Sequence, residues 1–136
     1  MNRLSRFPLC GLLLLTMMSV GCRRQGDHFS HDSAREAAER FYASLISGLY
    51  DEYVMAHNGA DSLPTAYRSQ LVDLAGQFMA QQQSARGGIL SATATNDTLM
   101  EADSSARVYL DIVFADSLCE QVSLPLLFRD GKWRLR

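Results

Sequence analysis

Cysteine is scarce, with three in 136 residues. Cys10 and Cys22 lie in or beside an N-terminal apolar run, and Cys119 stands alone. The disulfide framework that staples many small secreted domains is therefore excluded, and stability must come from a hydrophobic core. Cys119 falls in an alternating stretch, where a small buried apolar side chain is expected. Long apolar runs are missing too. Leu9 to Met18 carries no charge but is only about half the roughly 20 residues that a membrane-spanning helix needs. Neither sign of charge dominates, with 13 Lys and Arg against 15 Asp and Glu. A mildly acidic chain without a basic stripe argues against a nucleic-acid partner. There is no phosphate loop, no HExxH zinc motif and no nucleophile elbow, so no cofactor, metal or catalytic set is indicated.

What is present begins at the N-terminus. Arg3 and Arg6 form a basic opening, Leu9 to Met18 an apolar middle, and Ser19-Val20-Gly21 a run of small residues before Cys22. This is the three-part shape of a secretory signal. The tetrad Ser19-Val20-Gly21-Cys22 resembles the lipobox of bacterial lipoproteins, although Ser19 stands where Leu is usual. The resemblance implies that residues 1–21 are removed and that the Cys22 thiol carries diacylglycerol, anchoring the protein to a membrane. An ordinary signal cut nearby and an uncleaved membrane helix are the alternatives. Two or three acyl chains hold firmly, at about 0.8 kcal/mol per buried CH₂. Arg23 and Arg24 add about 1 kcal/mol each against anionic headgroups. The lipoprotein resemblance also implies a cell-envelope location, on the periplasmic face of an outer membrane where one exists. Loss of Arg3 and Arg6 takes the formal charge from −2 to −4.

Residues 22–32 read as the lipidated cysteine and a polar tether. His28 and His31 share an i, i+3 spacing but lack further ligands nearby, so a solvated linker is expected. Ser33-Ala34-Arg35-Glu36 reads as a capping box with Ser33 as N-cap. The helix that it opens carries an apolar stripe of Ala34, Ala37, Ala38, Phe41, Tyr42, Leu45, Ile46 and Leu49, with Arg35, Glu36, Glu39 and Arg40 on the other face. A short second helix runs from Tyr50 or Asp51 to about His57 and stops at Asn58-Gly59. A third begins near Asp61 or Ser62, with Pro64 in its first turn and a stripe of Tyr67, Leu71, Leu74, Ala75, Phe78 and Met79. Gly87-Gly88 ends it.

From Gly88 the period falls from 3.6 to 2. Leu90, Ala92 and Ala94 alternate with polar residues, and Asn96-Asp97 and Asp103-Ser104 supply turn or bulge chemistry. Ala106, Val108, Leu110, Ile112 and Phe114 make one apolar face, with Tyr109 and Asp111 opposite. Val122, Leu124, Leu126 and Phe128 make the next. Pro125 demands a bulge or a free edge. Arg129-Asp130-Gly131-Lys132 is a two-residue hairpin, and Trp133 and Leu135 share a face beyond it. Helices followed by strands mean an α+β domain over residues 33–136, with N-terminal helices packed on a curved antiparallel sheet of about four strands.

This order resembles a group of small bacterial lipoproteins of unknown function with a nuclear transport factor 2-like (cystatin-like) cone. The residues that carry the resemblance are Phe41 to Tyr50, Val122-Ser123-Leu124-Pro125-Leu126, and the closing Asp130-Gly131-Lys132-Trp133-Arg134-Leu135. It implies a fold and a place, and no catalytic residues. Enzymes on such a cone would need a buried carboxylate base and an acid, which makes Tyr42, Tyr53, His57, Tyr109 and Asp111 the residues to examine. The strand alternation turns Tyr109 and Asp111 away from the helices. The preferred reading is a non-catalytic binding or interaction module, taking an apolar ligand or an envelope protein, with Phe41, Tyr42, Leu45, Phe78 and Trp133 as candidate pocket lining. A structural or assembly lipoprotein acting through its sheet face and a small isomerase- or dehydratase-like enzyme are the alternatives.

Overall fold

The computed structural model describes residues 27–136. The signal region and Cys22 lie outside the described residues. No helix among those described is long and apolar enough to cross a membrane.

Helix α1 spans His31–Ile46. Its N-cap is Ser30, not Ser33: the Ser30 hydroxyl accepts from the Ser33 N–H at 3.2 Å. The Ser33 hydroxyl is committed elsewhere, accepting from the indole N–H of Trp133 at 2.8 Å. The helix thus starts most of a turn earlier than the capping-box spacing suggests. The segment before it is docked as well. Phe29 stacks on Trp133 with ring centroids 5.4 Å apart, and Asp27 accepts from the Trp133 backbone N–H at 3.1 Å. The polar stretch expected to run free through Asp32 is therefore fastened to the domain from Asp27 onward.

One face of α1 presents Ala34, Ala37, Ala38 and Phe41 to the sheet, all buried. The small alanine side chains bring the helix close, so the sheet side chains fill the interior at high density. A second seam runs beside it. His31, Arg35 and Glu39, spaced four apart, reach towards the first strand, although His31 stays largely exposed. His31 and Arg35 engage the buried Asp97 carboxylate, and Glu39 accepts from the Ala94 N–H at 2.8 Å. That strand is a sheet edge, and the Glu39 carboxylate supplies a partner that an edge otherwise leaves to water or to another chain.

Helix α2 covers Tyr50–Met55, a single helical turn Ala60–Ser62 follows, and α3 covers Thr65–Arg86. Helix α3 closes at a left-handed glycine, with Gly87 N–H bonding to Gln83 C=O in the αL pattern and Gly88 N–H reaching Gln82 C=O. Gly87 has φ 76°, and a Cβ there would lie 2.9 Å from that of Ala115, so glycine is required twice over. Most of the apolar stripe of α3 stays outside the core, against which Met79 alone of the stripe packs. Tyr67, Leu74 and Phe78 are 49%, 57% and 41% exposed, and Ala75 is the one buried member. Helix α3 rests chiefly on α2 and turns this stripe onto an open groove.

Four strands follow in an antiparallel meander: β1 Ile89–Met100, β2 Ser105–Phe114, β3 Cys119–Arg129 and β4 Lys132–Leu135, in that order across the sheet. Strand β1 shifts register between Ile89 and Ser91 and again between Ala94 and Asn96. Such bulges bend and twist a strand. The first turns Ile89 inward and leaves Leu90 63% exposed, against the simple alternation. The second keeps Asn96-Asp97 inside the strand. On β2 all five apolar positions from Ala106 to Phe114 are buried, and from β3 and β4 Leu126, Trp133 and Leu135 join them.

Cys119 is exposed, contrary to expectation. It shares parity with Gln121 and Ser123, on the face opposite Val122 and Leu124, so the alternation itself places it outside. Pro125 sits without a bulge on the inner strand β3, opposite Arg107 of β2 and just past the last residue paired with β4. Its carbonyl accepts from the Arg136 N–H, past the end of β4. A strand residue's N–H and C=O point the same way, so the missing N–H faces the end of β4 and the ladder to β2 is left intact. The hairpin turns through Asp130 and Gly131 at φ 52° and 71°, the left-handed pair of a two-residue loop.

Candidate functional site: an apolar groove between the helices

The concave face of the sheet is filled by Val108, Leu110, Ile112 and Leu126. The recess lies among the helices instead. A half-open groove of about 520 Å³ is bounded by the C-terminal half of α1, by α2, by the segment His57 to Leu63 and by α3. Leu45, Val54, Ala60, Leu71, Ala75 and Phe78 supply apolar wall. Tyr42, Tyr53, His57, Asn58 and Tyr67 supply the polar atoms, and no Asp, Glu, Lys or Arg is among the lining residues.

The polar corner is held by the backbone around it. Asn58 N–H donates to the Leu135 carbonyl at 2.7 Å, and Leu135 N–H to the Ala56 carbonyl at 2.9 Å, tying the segment that carries His57 to β4. The Tyr53 and His57 rings meet edge to face, with centroids 5.3 Å apart. His57 Nδ1 lies 3.1 Å from the Tyr53 carbonyl and 3.3 Å from that of Val54. Carbonyls only accept, so Nδ1 carries the proton, and in the neutral ring Nε2 holds the lone pair. Burial pushes the Tyr42 phenol above its ordinary pKa, with the nearby Tyr53 adding to the effect. Burial does the same to Tyr53. Both phenols are thus held in the neutral, hydrogen-bonding form. Both residues line the groove, and neither phenol oxygen has a protein hydrogen-bond partner among the described residues.

Of the five lining residues read from the sequence, Tyr42, Leu45 and Phe78 are in the groove. Phe41 and Trp133 are not. Both belong to the core between α1 and the sheet, where Trp133 also contacts Phe128 at 5.0 Å between centroids. The groove gains Tyr53 and His57, which the sequence marks only as acid–base candidates, and Tyr67, Leu71, Leu74 and Ala75 of the α3 stripe beside Phe78. Tyr109 and Asp111 lie on the outer sheet face, where Asp111 accepts from Gln121 at 3.3 Å. No group of three or more potential metal ligands occurs among the described residues. A second, polar recess of about 400 Å³ lies between α2 and α3, around Asp51, Arg68 and Asp73.

No family profile matches this sequence, and no curated protein does. Among solved structures, the chain superposes on a Campylobacter jejuni protein described as a candidate NTF2-like transpeptidase. The TM-score is 0.61, with 14% identity over 75% of this chain and 95% of that one. The fold is the NTF2-like cone. Helices followed by a curved four-stranded antiparallel sheet are common to both. At this identity the likeness carries the NTF2-like architecture and leaves the chemistry to the residues themselves.

Proposed function

We propose that this protein is a non-catalytic binding module of the bacterial cell envelope that takes a small apolar molecule into the groove between its helices. The observation that carries this reading is the groove's lining: a largely apolar recess of about 520 Å³ in which the polar-tipped Tyr42, Tyr53 and His57 are neighbours. Small-molecule sites are typically recesses of roughly 300–1,000 Å³ with this division of labour. The exposed Tyr67, Leu74 and Phe78 are then the open side of a ligand site, which accounts for large apolar side chains left facing water. The lining contains no Ser, Thr, Cys, Lys or carboxylate. An acyl-transfer nucleophile of the usual kinds is thus missing from it, and so is the carboxylate base of an isomerase.

The proposal includes the anchor. Cys22 carries lipid and holds the domain at the membrane, on the periplasmic face of the outer membrane in a diderm. Docking of the chain from Asp27 onward leaves five Cα steps to Cys22, a reach of roughly 18 Å, so the groove works close to the bilayer. Apolar molecules dissolved in or delivered to that bilayer are then within range.

Titration with a neutral environment-sensitive dye such as Nile red tests the groove. The native chain is expected to show saturable binding, and Ala60→Phe, which fills a buried wall position, is expected to abolish it while the far-UV circular dichroism spectrum is kept. Saturable binding undiminished in Ala60→Phe, and equally in Ala75→Phe, would place the ligand elsewhere.

A further inference from the structure

The polar corner of the groove narrows the ligand class, given the groove's reading as a small-molecule site. Three of its side chains, Tyr42, Tyr53 and His57, lie close together and differ in hydrogen-bonding character. Tyr42 and Tyr53 offer phenol O–H groups with no partner among the described residues. His57 has its Nδ1–H committed to the Tyr53 and Val54 carbonyls, which leaves Nε2 as an acceptor. A ligand group that both accepts and donates is the one that satisfies this set. It accepts from a phenol and donates to Nε2. A ketone would accept only and leave Nε2 unmet, and an unmet polar group in a desolvated corner costs about 1–3 kcal/mol.

Charge is excluded by the same lining. A carboxylate head would be carried from water into a recess that holds no Lys or Arg, and an ammonium into one that holds no Asp or Glu. Burying an ion without a counter-ion costs several kcal/mol, more than two phenols return. The phenols do not become anions to meet a cation either, because burial holds both in the protonated form well into the alkaline range. We propose that the groove binds an uncharged apolar alcohol, its hydroxyl accepting from the Tyr42 and Tyr53 phenols and donating to Nε2 of His57, its hydrocarbon body lying along Leu71, Leu74 and Phe78.

The test is calorimetric titration of the full chain, at mildly alkaline pH, with a matched panel: 1-decanol, 2-decanone, decanoate and decylammonium, each below its aggregation limit. Decanol is expected to bind at least about tenfold more tightly than decanoate and decylammonium, and measurably more tightly than 2-decanone. His57→Phe should remove the preference of alcohol over ketone, read as the ratio of their two affinities in the same variant. Tyr42→Phe and Tyr53→Phe should weaken both neutral ligands. Decanoate or decylammonium binding as tightly as decanol would overturn the exclusion of charge and leave the groove reading standing. Equal binding of alcohol and ketone to the native chain would overturn the role given to Nε2. Failure of every member to bind saturably would remove the small-molecule reading itself.

Discussion

Trp133→Ala separates core from site most sharply, because this residue was a candidate for pocket lining and the structure places it in the core. The indole is 2% exposed, stacked on Phe29 at 5.4 Å and edge-on to Phe128 at 5.0 Å. Truncating a buried Trp to Ala costs about 3–5 kcal/mol in transfer and cavity terms. Aromatic pairing adds roughly 0.5–1.5 kcal/mol, and the bond from the indole N–H to Ser33 adds about 1 kcal/mol. The expected loss lies at the upper end, about 4–5 kcal/mol. A domain of this size has about 5–15 kcal/mol in total, so the variant should sit near the edge of folding. Urea unfolding followed by far-UV circular dichroism measures the loss. Fluorescence will not serve, since Trp133 is the only tryptophan. The midpoint should fall steeply with little change in slope. Trp133→Phe should lose about 1–2 kcal/mol and keep native ligand affinity, because the side chain does not reach the groove. A Trp133→Ala loss below about 1 kcal/mol, or a Trp133→Phe variant that stays stable and loses ligand, would refute this placement.

Other expectations follow from separate parts of the molecule. Phe29→Ala should destabilise by about 1–3 kcal/mol and couple with Trp133→Phe in a double-mutant cycle, whereas a freely moving tether would show no coupling. Glu39→Ala should cost about 1–2 kcal/mol in chemical denaturation by leaving the Ala94 N–H at the sheet edge without its partner, and Glu39→Gln, whose amide oxygen still accepts, should cost less. Burial raises the Tyr42 and Tyr53 pKa values from 10.0, so the unfolded chain loses these protons first. Stability should therefore fall as pH rises above about 10. Tyr42→Phe should make that decline shallower, and an unchanged alkaline slope would speak against burial of the phenol. Cys22→Ala should abolish incorporation of labelled palmitate and release the protein from membranes, and continued membrane association would remove the anchor from the proposal.

The sheet was largely legible because alternation is a strong signal when one face is buried. Ala106 to Phe114 and Val122 to Phe128 turn the expected residues inward, and Asp130-Gly131 makes the expected turn. The departures have local causes. Leu90 faces out because a register shift after Ile89 inverts the parity, and nothing in the residues of that stretch marks the bulge. Cys119 was assigned by residue type where its parity with Gln121 and Ser123 would have placed it correctly. Ser33 matched a capping box, but the pattern cannot show that a tryptophan 100 positions away claims its hydroxyl.

The groove was harder to read for a different reason. A helical stripe such as Tyr67, Leu71, Leu74 and Phe78 marks a face that avoids water, and periodicity does not distinguish a face sealed by the protein from one left for a ligand. Two features of the sequence fall on the groove's polar residues: the i, i+4 pair Tyr53 and His57 on and just beyond α2, and Tyr42 on the α1 stripe, a polar-tipped residue among aliphatic ones. Trp133 misled because a lone tryptophan suits a binding wall and a core equally well by composition. Its neighbour in space, Phe29, lies in a segment that composition marks as linker.

The groove is where a ligand is expected to sit. Heteronuclear NMR of the isotopically labelled full chain tests this directly, by mapping amide and side-chain shifts as 1-decanol is added. The predicted result is a saturable set of shifts at Tyr53, His57, Ala60, Leu71 and Phe78, with the outer sheet face around Tyr109, Gln121 and Ser123 unmoved. Shifts centred on that outer face, or none that saturate, would contradict it.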